Sequence, residues 1–234
     1  MADAGWPKVL VVTGTDTDVG KTVVTAAIVA TLRAAARTVV AYKPTQTGVA
    51  PDEPGDMAEV ARLTGAPTSE GVRLRAPMAP RPAAALEDAT LPTLDDHLAA
   101  VHRLGQHHDH VVVEGAGGLL VELTEAGETV ADLARLLPGS GIVLVARSAL
   151  GTLNHTMLTL EALAHRGIRT LGVVIGGWPE DPSVVETTNR DYLEALPEGL
   201  LGAVPWGAPA LAPEAFRAAA PTWLPRLHDG LTGP

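Results

Sequence analysis

The chain has 234 residues and a formal net charge of −10, with 46% hydrophobic and 19% charged residues. This length allows one large α/β domain or two small ones, and the hydrophobic content excludes wholesale disorder. The acidic balance argues against a general nucleic-acid binder or a protein drawn to anionic lipid. The absence of cysteine excludes disulfides, thiolate zinc sites and cysteine nucleophiles.

Short apolar runs alternate with helical patterns along the chain. β-Branched runs predict strands covered on both faces at residues 8–12, 38–42, 110–113, 142–146, 171–175 and 201–204. Helices are predicted at residues 22–36, 57–63, 129–137, 153–166, 182–196, 213–219 and 222–228. Pro44 is expected to stop the second strand, and the Pro- and Ala-rich stretch 76–92 is expected to be a surface loop over the sheet edge or a site.

This alternation predicts one domain over residues 1–234 with an α/β fold. Its mostly parallel central sheet has about seven strands, with helices on both faces. The segment MADAGWPKVL lacks the features of a signal peptide, and no uncharged apolar run approaches the roughly 20 residues that span a bilayer. We therefore expect a cytoplasmic protein with neither a membrane nor a nucleic acid as its partner.

The strongest local signal is the segment TDTDVGKT at residues 15–22, between the first strand and the first helix. Such a turn directs backbone N–H groups at an anion, and the helix dipole favours negative charge there. In a P-loop NTPase-like fold, Lys21 would reach the β- and γ-phosphates and Thr22 would ligate Mg²⁺. Thr15 stands where the usual pattern begins with glycine, so an ordinary strand–helix turn with a surface lysine is the alternative.

Two other predicted strands end in residues that suit a phosphate site. Glu114 precedes the glycine-rich segment 115–118, so it is positioned to act as a metal-side carboxylate while the glycines let backbone approach a ligand. Lys43 ends the strand at 38–42, at the edge where α/β sheets build their sites. A solvated glutamate and a solvated lysine at the two strand ends are the alternatives.

Asp56 lies in an acidic loop and has two interpretations, as a metal ligand or as the N-cap of the helix at 57–63. Three histidines that are close in sequence could suggest a metal site. They lie in a polar loop without suitable ligand spacing, so we expect them to be solvated. These histidines are His107, His108 and His110.

The segment Gly151 to His155 opens the helix at 153–166. Free N–H groups at a helix start suit an anion, here a carboxylate. The alternative is ordinary helix initiation with Thr152 as the cap.

Taken in order, these motifs resemble those of the dethiobiotin synthetase family. They are GTDTDVGKT, YKPTQTG, VEGAGG, LGTLNH and the late VPW, spread over roughly residues 9–206. The resemblance implies ATP-dependent closure of a ureido ring on 7,8-diaminopelargonate with CO₂, the penultimate step of biotin synthesis. A substrate carbamate attacks the γ-phosphate, and the second amine then displaces phosphate from the carbamic–phosphoric anhydride.

The same resemblance implies residue roles, with Lys43 and Lys21 catalytic and with Mg²⁺ held by Thr22, Asp56 and Glu114. The nucleotide would contact Asp18, Val19, Gly20, Lys21, Thr22, Val23, Asp56, Glu114, Gly115, Ala116, Gly117, Gly176, Gly177, Pro205, Trp206 and Gly207. The substrate would contact Thr17, Lys43, Thr47, Gly118, Gly151, Thr152, Leu153 and Asn154, with Tyr192 beside its tail. The family implies a homodimer in which the partner subunit binds the distant carboxylate.

One position departs from the family pattern. Some members carry Asn-Asp after the strand at 171–175, and these side chains contact adenine, whereas this chain has Gly176 and Gly177. Glycine offers only backbone groups, so we hypothesise a relaxed base preference, with CTP or GTP able to replace ATP.

The nearest alternative function is a P-loop ATPase switch of the partitioning or cell-division type. Those proteins carry an extra lysine early in the phosphate loop, which the segment TDT at 15–17 lacks, and their membrane versions end in a basic amphipathic helix, unlike LHDGLTGP here. Another cyclising synthetase on the same fold is a second alternative, against which the Lys-Pro and Gly-Thr-Leu-Asn motifs argue.

Overall fold

The computed structural model describes residues 6–232 and contains a seven-stranded sheet in which all paired strands are parallel. The strands are β1 (Val9–Gly14), β2 (Val39–Gln46), β3 (Thr68–Arg73), β4 (His110–Gly118), β5 (Gly141–Ala146), β6 (Thr170–Trp178) and β7 (Leu200–Pro205). Their order across the sheet is β3-β2-β4-β1-β5-β6-β7. The predicted parallel α/β sheet of about seven strands is therefore confirmed.

Helices cover both faces of this sheet. They are α1 (Lys21–Ala34), α2 (Asp56–Thr64), α3 (Pro80–Glu87), α4 (Leu94–Gly105), α5 (Val130–Leu136), α6 (Thr152–His165), α7 (Val184–Glu194), α8 (Pro213–Trp223) and α9 (Pro225–Thr232). One core packs α1, α2, α8 and α9 against the sheet, and a second packs α4, α5 and α6 against the opposite face. Between residues 6 and 232, no helix is long and apolar enough to cross a membrane.

The predicted surface loop at 76–92 is wrong in its central part, where the chain forms α3. Proline is tolerated in the first turn of a helix, and Pro80 begins this one. Ala83 and Ala84 then pack against Leu74 and Leu91 in a small separate core. Strand β3 and helix α4 were not predicted, because TSEGVR at the sheet edge is polar and half-exposed and lacks an apolar run.

The expectation that Pro44 ends the second strand is also wrong, because β2 continues to Gln46. Pairing of β2 with β4 ends at Tyr42 opposite Val113, while pairing with β3 continues to Gln46 opposite Arg73. Beyond Tyr42 the strand has one neighbour, and a strand edge tolerates proline.

The histidine group expected in a solvated loop contains one exception. His110 is the first residue of β4, and its buried ring Nδ1 lies 2.9 Å from the carbonyl oxygen of Pro7. Burial lowers the pKa of His110, although the Pro7 contact opposes this shift. This histidine is therefore a buried group and not part of a solvated loop.

The sheet brings the chemically interesting residues to one edge and one face. Ala41 on β2 and Val112 on β4 point toward α1. Because side chains on a strand alternate between the two faces, the residues two positions later, Lys43 and Glu114, point to the same face. Both lie at the carboxyl ends of their strands, next to the loop between β1 and α1. The candidate site is therefore assembled by topology from three separate segments of sequence.

Candidate active site

The loop between β1 and α1 has the geometry of an anion-binding turn. Asp18 and Gly20 have left-handed backbones, with φ of 57° and 92°, and no side chain caps the first turn of α1. A methyl group at Gly20 would lie 2.4 Å from the carbonyl oxygen of Gly176, so this turn also needs the space that glycine leaves. The uncapped N–H groups at the start of α1 therefore remain available to an anion.

Lys21 is buried at the start of α1, and its Nζ donates to the backbone carbonyl oxygen of Asp16 at 2.9 Å. Burial lowers the pKa of Lys21, and this effect outweighs the attraction of the Glu114 carboxylate. A negatively charged ligand would oppose the lowering, so the ammonium group suits a phosphate.

A cluster of charges lies at the ends of β2 and β4. Lys43 Nζ contacts Asp56 Oδ2 at 2.6 Å and Glu114 Oε1 at 2.7 Å, and Thr22 Oγ1 donates to the same Glu114 oxygen at 3.0 Å. Lys43 is 4% exposed and Glu114 is fully buried. Burial alone would lower the pKa of Lys43, but Glu114 and Asp56 raise it above its ordinary value, so the group is a cation at neutral pH.

This geometry decides between the alternatives for three residues. Glu114 and Lys43 are not solvated strand ends, since each is buried against the other. The N-cap interpretation of Asp56 is wrong, because Gly55 occupies the N-cap and the Asp56 carboxylate contacts Lys43.

The donor set is suited to Mg²⁺. The oxygens of Thr22, Asp56 and Glu114 are hard ligands, and Glu114 Oε2 is buried with no hydrogen-bond partner in the structure. This set contains only two carboxylates. Within residues 6–232, no group of three or more His, Cys, Asp or Glu side chains is arranged to hold a metal ion. Two carboxylates and a hydroxyl are characteristic of sites where Mg²⁺ is shared with substrate phosphates.

A cleft of about 730 Å³ connects the phosphate loop with this cluster. Of the residues suggested by the sequence, it is lined by Thr17, Asp18, Gly20, Lys21, Thr22, Val23, Lys43, Thr47, Asp56, Glu114, Ala116 and Gly117. Lys21 and Lys43 thus border one cleft. The cleft is also lined by Gln46, Met78 and Val121, to which the sequence motifs assign no role. The start of the 76–92 stretch lies over the site, as Pro77 to Pro80 form part of its wall.

Several suggested residues lie outside the cleft lining, close to the phosphate loop or behind it. A methyl group on Gly176 would lie 2.0 Å from the carbonyl oxygen of Val19, so Gly176 allows β6 to support the loop. Gly177 packs against the indole of Trp206, whose side chain lies on the surface. The remaining members of this group are Val19, Gly115, Gly118, Pro205 and Gly207.

The segment at the start of α6 is also separate from the cleft. Gly151 is the N-cap with φ of 92°, and no side chain caps the helix, so the alternative that Thr152 caps it is wrong. Thr152 is buried and donates to the carbonyl oxygen of Arg147 at 2.7 Å, while Asn154 is exposed. Leu153 is half-buried, and Tyr192 lies exposed on α7.

Comparisons with known proteins agree on one family. Residues 8–214 match the family model described as an AAA domain. An ATP-dependent dethiobiotin synthetase BioD from Streptomyces avermitilis is 52% identical over 224 residues, covering 94% of this chain and 93% of that protein. The protein of the same name from Mycobacterium avium is 51% identical over 211 residues, covering 90% of this chain and 92% of that protein. That from Rhodococcus jostii is 49% identical, covering 92% and 94%.

Solved structures add support for the P-loop NTPase-like fold. The cell division ATPase MinD of Pyrococcus furiosus matches with a TM-score of 0.59 at 18% identity, covering 96% of this chain and 98% of that one. FlhF complexed with GMPPNP and Mg²⁺ matches with a TM-score of 0.55 at 15% identity, covering 94% and 77%. At these identities the likeness concerns the fold alone.

Proposed function

The chain belongs to the ATP-dependent dethiobiotin synthetases of biotin biosynthesis, and from this premise we propose how its cleft closes the ureido ring. The partitioning-type ATPase switch is thereby set aside in favour of a ligase. The observation that carries the proposal is the placement of Lys43 between Asp56 and Glu114, in the same cleft as Lys21.

The reaction needs three bond-forming steps. One amine of 7,8-diaminopelargonate attacks CO₂ and loses a proton, which gives a carbamate. A carbamate oxygen then attacks the γ-phosphorus, the bond to the β-phosphate oxygen breaks, and the nucleoside diphosphate leaves. The second amine attacks the carbonyl carbon of the resulting anhydride, expels inorganic phosphate and loses a proton as the ring closes.

The protein contributes positive charge and position, because the substrate supplies both nucleophiles. The turn at residues 15–20 and the start of α1 bind the triphosphate, with Lys21 moving from the Asp16 carbonyl to phosphate oxygens. Lys43 lies where carbamate and γ-phosphate meet, and its ammonium group offsets the repulsion between them. Thr17 and Thr47 line the same cleft and hold the diamine end.

Thr22, Asp56 and Glu114 would hold the Mg²⁺ that accompanies the nucleotide and offsets charge on the β- and γ-phosphates. In the structure the Lys43 ammonium group neutralises these two carboxylates. The same ammonium group would offset the negative charge of the substrate carbamate.

The distant carboxylate of the substrate is assigned to Gly151, Thr152, Leu153 and Asn154 of a partner subunit. This segment starts a helix whose first N–H groups have no side-chain cap, which suits an anion. It lies outside the cleft of its own protomer, and Leu150 beside it is 85% exposed. An exposed leucine next to an anion site supports a homodimer in which each subunit completes the other's site.

The base preference is proposed to be relaxed. Gly176 and Gly177 offer the base no side chain, and the nearby Trp206 is 74% exposed and offers the flat face of an indole whose one polar group is the Nε1–H donor. CTP or GTP should then replace ATP with a modest loss of rate.

One assay tests the proposal. Protein is incubated with 7,8-diaminopelargonate, bicarbonate, Mg²⁺ and each of the four nucleoside triphosphates, and dethiobiotin is measured by mass. We expect product with more than one nucleotide, and none without Mg²⁺ or bicarbonate. A steep preference for ATP contradicts the hypothesis of relaxed base choice, while absence of product with every nucleotide contradicts the proposed function.

A further inference from the structure

Gln46 is a buried cleft residue to which neither the motifs nor the reaction gives a role. It ends β2, three residues after Lys43, and is 3% exposed. Its amide uses both ends: Oε1 accepts the backbone N–H of Asp56 at 2.8 Å, and Nε2 donates to the backbone carbonyl of Thr47 at 3.1 Å.

The orientation of this amide is dictated by its two neighbours. A backbone N–H requires an acceptor and a backbone carbonyl requires a donor, so rotating the amide by 180° would turn both contacts into repulsions. The side chain is therefore held from both ends in a single orientation.

The acceptor end determines where the Asp56 carboxylate lies. Asp56 is the first residue of α2, and the N-cap Gly55 has no side chain to bond the orphan N–H groups, so Gln46 supplies an acceptor from another element. The packing is close, since a methyl group on Gly55 would lie 2.8 Å from Gln46 Oε1. Fixing this N–H fixes the start of α2 and the carboxylate that contacts Lys43 at 2.6 Å.

The donor end contacts the next residue along the chain. The Thr47 carbonyl accepts from Nε2, and Thr47 is the residue assigned above to the diamine end of the substrate. One side chain thus contacts both the residue assigned to the metal and the residue assigned to the substrate.

We propose that Gln46 is a positioning residue that sets the spacing between the Asp56 carboxylate and Thr47, and with it the spacing between the metal and the diamine. The inference rests on the proposed roles of Asp56 and Thr47. Loss of the acceptor end should affect metal binding, and loss of the donor end should affect substrate binding. A glutamine with a merely structural role would not separate these two effects.

Two substitutions separate the two ends. Gln46→Glu keeps an acceptor for the Asp56 N–H but places a carboxylate oxygen against the Thr47 carbonyl. Gln46→Met keeps the length of the side chain and removes both hydrogen bonds. The other glutamine of the chain, Gln106, is exposed at the end of α4, so Gln106→Glu and Gln106→Met are matched controls.

The experiment measures the KM for 7,8-diaminopelargonate and, separately, binding of Mg²⁺ to the protein–ADP complex by calorimetry. For Gln46→Glu we expect a KM raised about tenfold and a Mg²⁺ dissociation constant within about threefold of wild type, since the acceptor remains. For Gln46→Met we expect both constants to rise about tenfold. The Gln106 variants should match wild type in both.

The inference is overturned if Gln46→Met leaves both constants at wild-type values, or if it lowers kcat and thermal stability while neither constant moves. It is also overturned if Gln46→Glu weakens Mg²⁺ binding as strongly as Gln46→Met does. Should Gln46→Met fail to fold, the isosteric glutamate variant still decides the donor side. Failure of the proposed function is distinguishable, because wild type and the Gln106 variants would then also make no dethiobiotin.

Discussion

The cleft and the start of α6 both present anion-binding groups, but they are built in different ways. In the cleft, Lys43 and Glu114 are buried and in contact, and three strand or helix ends converge on them. At the start of α6, the N–H groups have no side-chain cap, and the neighbouring Leu150 is almost fully exposed. One chain is thus sufficient to assemble the cleft and its charges, whereas the α6 segment acquires its proposed role from a second copy.

The two regions also differ in how well they tolerate substitutions. Charges buried against each other are costly to disturb, because removing one leaves the other without compensation. An exposed helix start loses little stability when its neighbours change, and the cost falls on association. Substitutions in the cleft should therefore have larger effects than substitutions at the start of α6.

Lys43→Met should have the largest effect. Loss of a charged group that stabilises the transition state is expected to lower kcat by about 10²–10³-fold. Stability should also fall by about 3 kcal/mol, at the low end of the range for a broken buried pair because the Asp56 side chain is 36% exposed. Dethiobiotin formation and urea unfolding measure the two effects.

A second part of this prediction concerns Mg²⁺. Added Mg²⁺ should recover more stability in Lys43→Met than in wild type, since a divalent cation replaces the ammonium group between Asp56 and Glu114. Lys8→Met, an exposed lysine before β1, is the control. Full ring-closing turnover in the Lys43 variant would refute the catalytic assignment.

Most of the cleft could be predicted from the sequence because its residues stand at strand ends. In a parallel sheet the carboxyl ends share one edge, so Lys43 and Glu114 converge there, and the loop that follows β1 brings Lys21 to the same edge. Gln46 was missed, since its partner Asp56 lies ten residues away and the contact depends on how β2 and α2 meet. Strand β3 was missed because its polar edge residues carry no periodic signal.

Gly176 tests the scaffold behind the phosphate loop. In Gly176→Ala the methyl group would lie 2.0 Å from the Val19 carbonyl oxygen, so the loop must move. We expect the KM for the nucleotide to rise at least about tenfold and stability to fall by about 1–3 kcal/mol. Gly177→Ala is the matched variant, because its methyl group meets the exposed Trp206 indole, which has room to move. Equal effects of the two substitutions on nucleotide KM would contradict this account.

Leu150→Glu tests the α6 region. The side chain is 85% exposed within one protomer, so the change should leave the free energy of unfolding within about 0.5 kcal/mol at fixed low concentration. Charge repulsion across a two-fold interface should instead yield monomers in sedimentation, with the KM for 7,8-diaminopelargonate raised and the KM for nucleotide unchanged. Leu86→Glu on α3, also exposed, is the control. A Leu150→Glu protein that stays dimeric, or a wild type that is monomeric, removes the basis for the shared carboxylate site.

The smallest effect is expected from His97, which is buried on α4 and does not line the cleft. Its Nδ1 lies 2.8 Å from the Tyr42 hydroxyl, and burial lowers its pKa below the usual 6.5. Burial raises the pKa of Tyr42 to about 12, so Tyr42 stays neutral and the titration belongs to the histidine. Below about pH 6.5 the His97 ring binds a proton in the unfolded chain but resists it in the folded chain. The contribution of His97 to the free energy of unfolding is therefore fully present above about pH 6.5 and falls at lower pH.

The free energy of unfolding of wild type should therefore drop by about 1 kcal/mol more than that of His97→Asn between pH 7 and pH 5.5. Asparagine keeps a polar atom near the position of Nδ1 and removes the titration. Urea unfolding at each pH measures the difference, with His110→Asn as a second variant, because burial also lowers the pKa of His110. If the free energy of unfolding changed equally with pH in wild type and in His97→Asn, His97 would not titrate differently in the folded and unfolded chains. The titration of His97 would then be irrelevant to acid stability.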